Sequence, residues 1–352
     1  MHLFILNSSQ FDVPQLILNQ KVLDIIELGQ SIPGIHIYVV GSPLQSAKEL
    51  TIQYKTALEA KKLIGELSQP IIFHFGATLN VDASIAQYFI PLSPATSSSP
   101  ISFFKKWALQ NAYKKFIQKS KATYAINDWA SDFLVKYYKK YNTKIKTAYL
   151  PTSTVAHIDW VELAAAKNKL TEGAHYFLAF QPLENFVDML KEFSVFKKWQ
   201  QTNMALVFIF ENELAVWQAN KLISGYTFKD SVIIKSIKDL EMSWIAATYA
   251  ITFNGTYFDK AILMEMAIQY NIPLLINTPM DQQQPIVSAW TGAGEWFSFA
   301  QKGALSNHFK LYYKDEQYRQ TRAQQAKEWL HHLYAQTKQL ASVLVPLSHK
   351  SA

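Results

Sequence analysis

The chain has 352 residues, of which 49% are hydrophobic, and it carries a formal net charge of +7. This length suits two α/β domains better than a single core, and no apolar run reaches the roughly 18 residues that a membrane-spanning helix requires. The absence of cysteine excludes disulfides, thiolate nucleophiles and cysteine–zinc sites.

The first half of the chain alternates predicted strands and helices. Short apolar runs predict strands at 2–6, 35–40, 71–75, 87–92, 123–126 and 144–150. Helical periodicity predicts helices at 13–28, 46–67, 81–86, 101–121 and 130–141, and the Ser/Pro-rich residues 93–100 predict a loop. Such alternation is typical of a parallel sheet with helices on both faces, so we expect residues 1–152 to form a doubly wound domain.

Residues 151–173 break this alternation and are predicted to be a linker. A second series follows, with strands predicted at 176–180, 205–210, 232–234, 247–253 and 274–276. Helices are predicted at 185–199, 212–223, 239–246 and 261–268, and a long helical segment at 314–345. We therefore expect a second doubly wound domain over 153–325, followed by a C-terminal helix and tail over 326–352.

Residues 244–278 predict a compact β-α-β unit. A turn signal at Asn254-Gly255-Thr256 follows the first strand, Asp259 suits the N-cap of the helix, and Asn271 with Pro273 ends the helix. This connection places the loop and the helix N-terminus at the carboxyl edge of a parallel sheet, where open α/β folds bind ligands.

The same unit resembles the C-terminal signature of GT-B glycosyltransferases of the retaining, nucleotide-sugar-dependent group (group 1, family 4-like). Leu263-Met264-Glu265-Met266-Ala267 resembles the pattern L-x-E-A-M-A, and Asn271-Ile272-Pro273-Leu274-Leu275-Ile276 resembles G-x-P-V-I. Residues 125–129 with 144–151 are similar to the end of the family's N-terminal domain, and residues 176–210 to the start of its C-terminal domain. The resemblance implies two Rossmann-like domains facing across a cleft, with the last helix crossing back onto the first domain.

The resemblance also implies roles within this unit. Glu265 would bind the ribose hydroxyls of the nucleotide, and the alternative is a solvent-exposed helical glutamate. Tyr257 stands where the family has an acid that contacts the donor sugar; it can exchange a hydrogen bond but carries no charge. Lys260 would place an ammonium group beside a phosphate, unless it is an ordinary helical lysine. The donor loop itself comprises Asn254, Gly255 and Thr256.

A second phosphate-binding loop is expected after the first strand of the second domain. The family places Arg and Lys there, whereas this chain has Gln181 near the Arg position and Glu184 near the Lys position. Replacing a cation by a carboxylate reverses a Coulomb interaction worth about 4 kcal/mol at an effective dielectric constant near 20.

Three further candidates lie in the first domain. Residues 71–76 resemble the strand end that carries a histidine in the family, so His74 would act as an acid/base or positioning group on the acceptor side. The alternative is a histidine whose hydrogen bonds are satisfied at a strand end. Ser8 and Ser9 follow the first strand, where the family has a Gly-Gly loop near the donor phosphates.

Residues 102–121 predict a basic amphipathic helix. The excess positive charge is concentrated around it, because residues 101–152 hold eleven lysines and two acidic residues, a net of +9. Such a helix can lie on an anionic membrane surface, which suits enzymes with lipid-linked acceptors. The alternative is a core helix with a solvated lysine face, and nucleic-acid binding is disfavoured because neither arginine nor a reading motif accompanies the lysines.

Two functions remain open at this point. The resemblance implies a metal-independent glycosyltransferase that needs no cofactor and moves a sugar from a nucleotide-diphospho-sugar to a saccharide or lipid-linked acceptor. The alternative is a catalytically inactive GT-B protein that serves as a sugar-binding or partner subunit, because the family's glycines and diphosphate-binding cations are missing. The first ten residues lack the basic region of a signal peptide, so we expect a cytoplasmic protein that can contact the inner membrane face peripherally.

Overall fold

The computed structural model describes residues 1–7, 15–41, 52–74, 88–91, 103–152, 157–199, 202–254, 259–277 and 292–348. The chain divides into two compact units, Met1–Ser153 together with Tyr334–Ala352, and Thr154–Leu333. Each unit contains a parallel sheet, of seven strands in the first and six in the second. The two doubly wound α/β folds that the alternating pattern predicts are therefore confirmed.

In the first unit the strands are β1 (His2–Asn7), β2 (His36–Gly41), β3 (Gln53–Lys55), β4 (Pro70–His74), β5 (Tyr88–Pro91), β6 (Ala122–Ala125) and β7 (Ile145–Thr147). The helices are α1 (Gln15–Gln30), α2 (Ala57–Glu66), α3 (Phe103–Lys119) and α4 (Asp128–Tyr137), and a 3-10 helix covers Lys139–Lys144. The strand order is β3-β2-β1-β4-β5-β6-β7. The central strands β1 and β4 are completely buried over Leu3–Leu6 and Ile71–His74, as is usual for parallel strands with helices on both faces.

In the second unit the strands are β8 (Tyr176–Phe180), β9 (Ala205–Phe210), β10 (Val232–Ser236), β11 (Ile251–Asn254), β12 (Leu274–Asn277) and β13 (Glu295–Phe297). The helices are α5 (Trp160–Thr171), α6 (Phe186–Trp199), α7 (Glu213–Leu222), α8 (Met242–Ala246), α9 (Asp259–Gln269), α10 (Ala304–Lys314) and α11 (Glu316–Gln336), and the chain ends with α12 (Leu340–Ser348). The strand order is β10-β9-β8-β11-β12-β13. A core rich in phenylalanine joins one face of this sheet to α6 and α10.

The C-terminal segment belongs to the first unit. Tyr149 donates its backbone N–H to the carbonyl oxygen of Lys338 at 2.8 Å and accepts from the N–H of Leu340 at 2.7 Å. Leu340 and Leu344 of α12 are buried in the same core as Leu150, which lies just after β7. The apolar face of α12 thus completes the core of the unit that begins the chain.

Two sequence-based predictions are wrong. The helix predicted over 46–67 is interrupted, because residues 53–55 form the edge strand β3 and α2 starts only after Thr56. Thr56 accepts a hydrogen bond from the N–H of Glu59, whose carboxylate accepts from the N–H of Thr56, and this capping box fixes the helix start. The linker predicted over 151–173 contains the helix α5, which a second capping box starts at Asp159.

Several boundaries also differ from the predicted ones. The strand predicted over 247–253 begins only at Ile251, since the hydroxyl of Thr248 donates to the carbonyls of Tyr176 and Ala250 and holds the preceding residues out of the ladder. The single helical segment predicted over 314–345 is two helices, α11 and α12, preceded by the unpredicted β13 and α10. The helix predicted over 81–86 and the loop predicted over 93–100 lie outside the described residues.

Two carboxylates, one buried and one partly buried, attach α10 and α11 to the second sheet. Glu192 of α6 accepts the N–H groups of Gly303 and Ser306 at 2.8 Å each and so caps the start of α10. Glu295 of β13 accepts the hydroxyls of Tyr312 and Tyr318 at 2.6 Å each. The bonds to Glu192 satisfy backbone donors at the start of α10, and both carboxylates gain hydrogen-bond donors that replace water.

Candidate functional site

Both sheets have a strand order that reverses at an equivalent place. In the first sheet the reversal lies between β1 and β4, and in the second it lies between β8 and β11. Open α/β sheets bind ligands in the crevice beyond the carboxyl ends of the two strands at such a reversal. The residues at these strand ends are therefore the first place to look for function.

In the second unit, three neighbouring strands end in side-chain amides. Gln181 follows Phe180, the last residue of β8, and Asn254 and Asn277 are the last residues of β11 and β12. Asn254 pairs with Asn277 across the ladder, and Phe253 pairs with Phe180. The three amides therefore stand side by side at the carboxyl edge, and we call Gln181, Asn254 and Asn277 the amide row.

The amide row is buried, with exposed fractions of 2% for Gln181, 5% for Asn254 and 4% for Asn277. The oxygen Oε1 of Gln181 accepts a hydrogen bond from Asn185 at 3.1 Å, whereas its nitrogen Nε2 has no partner among the described residues. The oxygen Oδ1 of Asn277 has none in that part of the chain either. Each buried polar atom left unsatisfied costs about 1–3 kcal/mol, which makes such atoms candidates for contact with a ligand or an ordered water.

Glu265 lies in the second turn of α9, the helix between β11 and β12. All residues from Ala261 to Ile268 are buried, and Glu265, at 2% exposure, is the only charged residue among these eight. The alternative of a solvent-exposed helical glutamate is thus wrong. Its burial is compatible with the predicted contact to ribose hydroxyls, since a carboxylate withdrawn from water needs hydrogen-bond donors.

The remaining predicted donor-site residues are only partly described. Gln181 and Asn254 belong to the amide row, and Glu184 is exposed in the 3-10 turn Leu183–Asn185 that leads into α6. The loop residues Gly255, Thr256 and Tyr257, the side chain of Lys260 and the predicted site residues Ser8 and Ser9 lie outside the described part of the chain. Their roles stay predictions.

His74 is the last residue of β4 and pairs with Leu6 of β1, so it stands at the strand reversal of the first sheet. Its side chain is 1% exposed, and its ring packs edge-on against Phe89 at 4.5 Å and Phe116 at 4.7 Å between centroids, with Tyr113 at 6.1 Å. His74 thus lies at the strand end where its predicted role requires it, and its ring is also part of the aromatic packing; the role of His74 stays a prediction.

The basic helix α3 has one buried face. Tyr113, Phe116 and Ile117 are buried, and Lys114 and Lys115 are exposed. On the preceding turns Trp107 is 60% exposed, which is unusual for so large an apolar side chain. The helix is therefore a packing element of the first unit that also presents an exposed tryptophan and lysines.

Within the described residues, no three His, Asp or Glu side chains are grouped closely enough to hold a metal ion. Every helix in that part of the chain is also too short or too polar to cross a lipid bilayer.

Asn277 was not predicted from the sequence. It directly follows the apolar strand Leu274–Ile276, and a polar amide at the end of a buried parallel strand next to the signature helix was the signal that could have identified it.

Comparison with known proteins gives a fold but no sequence family. No family model and no curated protein matches the chain. Among solved structures, Anabaena Alr3699/HepE in complex with UDP and glucose is similar with a TM-score of 0.63 and 10% identity, covering 99% of this chain and 98% of that one. A glycosyltransferase from Rickettsia africae is similar with a TM-score of 0.65, 11% identity and the same coverage.

An α,α-trehalose-phosphate synthase (UDP-forming) from Burkholderia vietnamiensis is also similar, with a TM-score of 0.60, 10% identity and 99% coverage of both chains. At this level of identity the similarity concerns the fold alone. The chain has the two-domain GT-B fold of these glycosyltransferases.

Proposed function

We propose that the protein is a glycosyltransferase that binds a nucleotide-diphospho-sugar in its second unit and transfers the sugar to a saccharide or lipid-linked acceptor. The observation that carries the proposal is the burial of Glu265 within the otherwise apolar stretch Ala261–Ile268 of α9. A carboxylate is a strong hydrogen-bond acceptor, and α9 starts at the sheet edge where open α/β folds bind ligands. The two ribose hydroxyls of a nucleotide are donors that Glu265 can accept there.

The solved structures of the same fold support this proposal. HepE has been solved in complexes with UDP, with UDP and glucose, and with UDP-glucose, and its fold matches this chain over nearly the full length of both proteins. Together with the resemblance of the β11–α9–β12 unit to the glycosyltransferase signature, this favours a nucleotide-sugar as the ligand of the second unit.

In the proposed enzyme, residues 153–325 bind the donor and residues 1–152 bind the acceptor. Glu265 accepts hydrogen bonds from the ribose, Lys260 neutralises a phosphate, and Tyr257 contacts the sugar from the donor loop. On the acceptor side, His74 positions the acceptor or exchanges a proton with it. The transfer would retain the anomeric configuration, as the resemblance implies. It would use no metal ion, because the ammonium group of Lys260 would neutralise the phosphate charge.

Calorimetry with UDP- and GDP-sugars tests the proposal. Glu265→Gln keeps the shape of the side chain but removes its charge, and hydrogen bonds to a charged group contribute about 1.5–3 kcal/mol. We expect donor affinity to fall by about 10- to 100-fold. Glu213→Gln, which changes an exposed glutamate at the start of α7, is the matched control and should bind as the wild type does. Equal donor affinity of Glu265→Gln and wild type would refute the ribose contact.

The second candidate is an inactive sugar-binding or partner subunit. It is favoured by the neutral Gln181 and the exposed Glu184 in the loop where the resembled family carries Arg and Lys. A folded protein that binds every tested donor more weakly than about 1 mM would support this candidate over the first. Donor binding in the micromolar range together with transfer to a sugar acceptor would exclude it.

The exposed side chains of α3 are relevant to the kind of acceptor that the protein uses. We propose that its exposed Trp107, Lys114 and Lys115 contact an anionic membrane surface at the cytoplasmic face, which would bring a lipid-linked acceptor to the first unit. Each lysine near such a surface contributes about 1 kcal/mol, so replacing both by glutamine together with Trp107→Ala should weaken liposome binding at least 30-fold.

Trp160→Ala, which removes a 78% exposed tryptophan of the second unit, is the matched control for flotation. Flotation that does not depend on anionic lipid at low salt would refute the membrane contact.

A further inference from the structure

We infer that the amide row binds an uncharged, hydroxyl-bearing group, so that it selects the sugar portion of the ligand and not its phosphates. The inference rests on the proposed function in that it assigns part of the same ligand to Gln181, Asn254 and Asn277. It differs from the resembled family's pattern, in which the loop after the first strand of this domain carries cations for the diphosphate.

The three amides lie on one face of the sheet. Side chains alternate between faces along a strand, so Asn277 shares the face of Leu275, and Asn254 that of Thr252, whose hydroxyl lies 3.8 Å from the sulfur of Met189 of α6. Gln181, the first residue after β8, continues the face of Phe177 and Ala179 and accepts a hydrogen bond from Asn185, which directly precedes α6. Phe177, Ala179 and Leu275 pack in one core with residues of α6. The opposite face is marked by the stacked rings of Phe180 and Phe253, which are 5.2 Å apart. The amide row therefore extends the α6 side of the core up to the carboxyl edge.

Two atoms of the row lack a partner within the described part of the chain, and they are a donor and an acceptor. Nε2 of Gln181 can donate, and Oδ1 of Asn277 can accept, while both side chains are more than nine-tenths buried. A hydroxyl group both donates and accepts, and a pyranose offers several hydroxyls at fixed spacing. The two atoms belong to chain segments on either side of β11, about 10 Å apart at the backbone, so separate hydroxyls of one ligand would satisfy them.

A phosphate would fit this position poorly. It can only accept hydrogen bonds at neutral pH, so it would leave Oδ1 of Asn277 unsatisfied and facing negative charge. Burying an anion also requires a compensating cation. In the turn that follows Gln181 the ionisable residue is Glu184, whose charge would repel a phosphate.

Selectivity for hydroxyls should be measurable, because a site built to bond a hydroxyl penalises a ligand that lacks it. The probes are UDP-glucose, UDP-galactose, UDP-N-acetylglucosamine and GDP-mannose, each compared with its nucleoside diphosphate and its free sugar by calorimetry. Asn277→Leu and Gln181→Leu replace one amide each by an apolar group of similar size. We expect each to lower the affinity for the preferred nucleotide-sugar about tenfold or more and that for the nucleoside diphosphate less than about twofold.

Two further variants control for folding and charge. Thr252→Val changes a fully buried side chain on the same face of β11 without altering the row, and should leave all affinities unchanged. Asn277→Asp keeps the acceptor oxygen, so a hydroxyl still binds, whereas a phosphate at that position would be repelled. Retained affinity for the nucleotide-sugar in Asn277→Asp supports the inference even if the leucine variants do not fold, whereas an equal loss of affinity for the nucleotide-sugar and the nucleoside diphosphate would place a phosphate there and overturn it.

The outcomes separate the inference from the proposed function. Equal losses for nucleotide-sugar and nucleoside diphosphate in Asn277→Leu and Gln181→Leu, or no loss for either, would overturn the inference while the glycosyltransferase proposal stands. Binding of a free sugar that depends on the row, without binding of any nucleotide, would overturn the proposed function and keep the inference. A folded wild-type protein that binds none of the probes would overturn both.

Discussion

Removal of the Glu295 carboxylate should destabilise the second unit. Tyr312 and Tyr318 each donate a hydroxyl to it at 2.6 Å, Arg322 Nε lies at 3.3 Å and His308 Nδ1 at 3.4 Å. Burial raises the pKa of Glu295, but interactions with His308, Tyr312 and Tyr318 outweigh this effect and lower the pKa from 4.5 to about 2. That difference corresponds to about 3 kcal/mol of stability at neutral pH.

Glu295→Gln keeps one acceptor oxygen, so we expect a loss of about 2–3 kcal/mol in the free energy of unfolding at pH 7. Urea unfolding, with hydrogen exchange of the peptides that cover β13 and α10 as the readout, assigns the loss to the second unit. Glu316→Gln is the matched control, because this glutamate of α11 has a side chain that is 71% exposed. It should change the stability by less than about 0.5 kcal/mol.

The pH dependence of the stability difference between wild type and Glu295→Gln can refute this reasoning. Because the pKa of Glu295 is lower in the folded state than its usual value of 4.5, its contribution is fully present above that pH and is lost as the pH falls toward about 2. The difference between wild type and Glu295→Gln should therefore shrink as the pH is lowered below 4.5. A loss below about 0.5 kcal/mol at neutral pH, or a larger one that stays constant down to about pH 3, would refute the reasoning.

Two further predictions concern buried charge. Glu192→Gln replaces a carboxylate that accepts two backbone N–H groups at the start of α10, so we expect the free energy of unfolding in urea to fall by about 2–3 kcal/mol. Glu184→Gln, at an exposed position, is the control. An equal loss in both variants would contradict the capping role. Lys21→Met removes the ammonium group that lies 3.2 Å from the buried carboxylate of Asp24, so the free energy of unfolding of the first unit should fall by about 3–5 kcal/mol. Adding Asp24→Asn should restore part of that loss. No recovery in the double variant would show that the ion pair is not the cause.

The fold was predictable because the core strands are unambiguous. β1, β4, β8 and β9 are short apolar runs bounded by polar residues, and each is buried where the pattern places it. The two parallel sheets and their alternation with helices follow from that pattern. The errors lie at the periphery: β3 has only three residues and is at the sheet edge, so its sequence carries no alternating apolar signal.

The candidate site was predictable only in part. The signature around Glu265 predicts a helix, which the structure has as α9, yet the burial of Glu265 depends on tertiary packing that local periodicity does not describe. The alignment of Gln181 with Asn254 and Asn277 depends on strand order, because β8 and β11 are far apart in sequence but adjacent in the sheet. Such non-local neighbours cannot be derived from spacing along a single chain.

The placement of α12 has a consequence for biosynthesis. Leu340 and Leu344, which are translated after the whole of the second unit, fill the core around β1 and α1, which are translated before it. Domains usually complete their folding in order of synthesis. Here the first unit must wait with an open apolar face until α12 has been synthesised, whereas the second unit, Thr154–Leu333, has its whole sequence available before then.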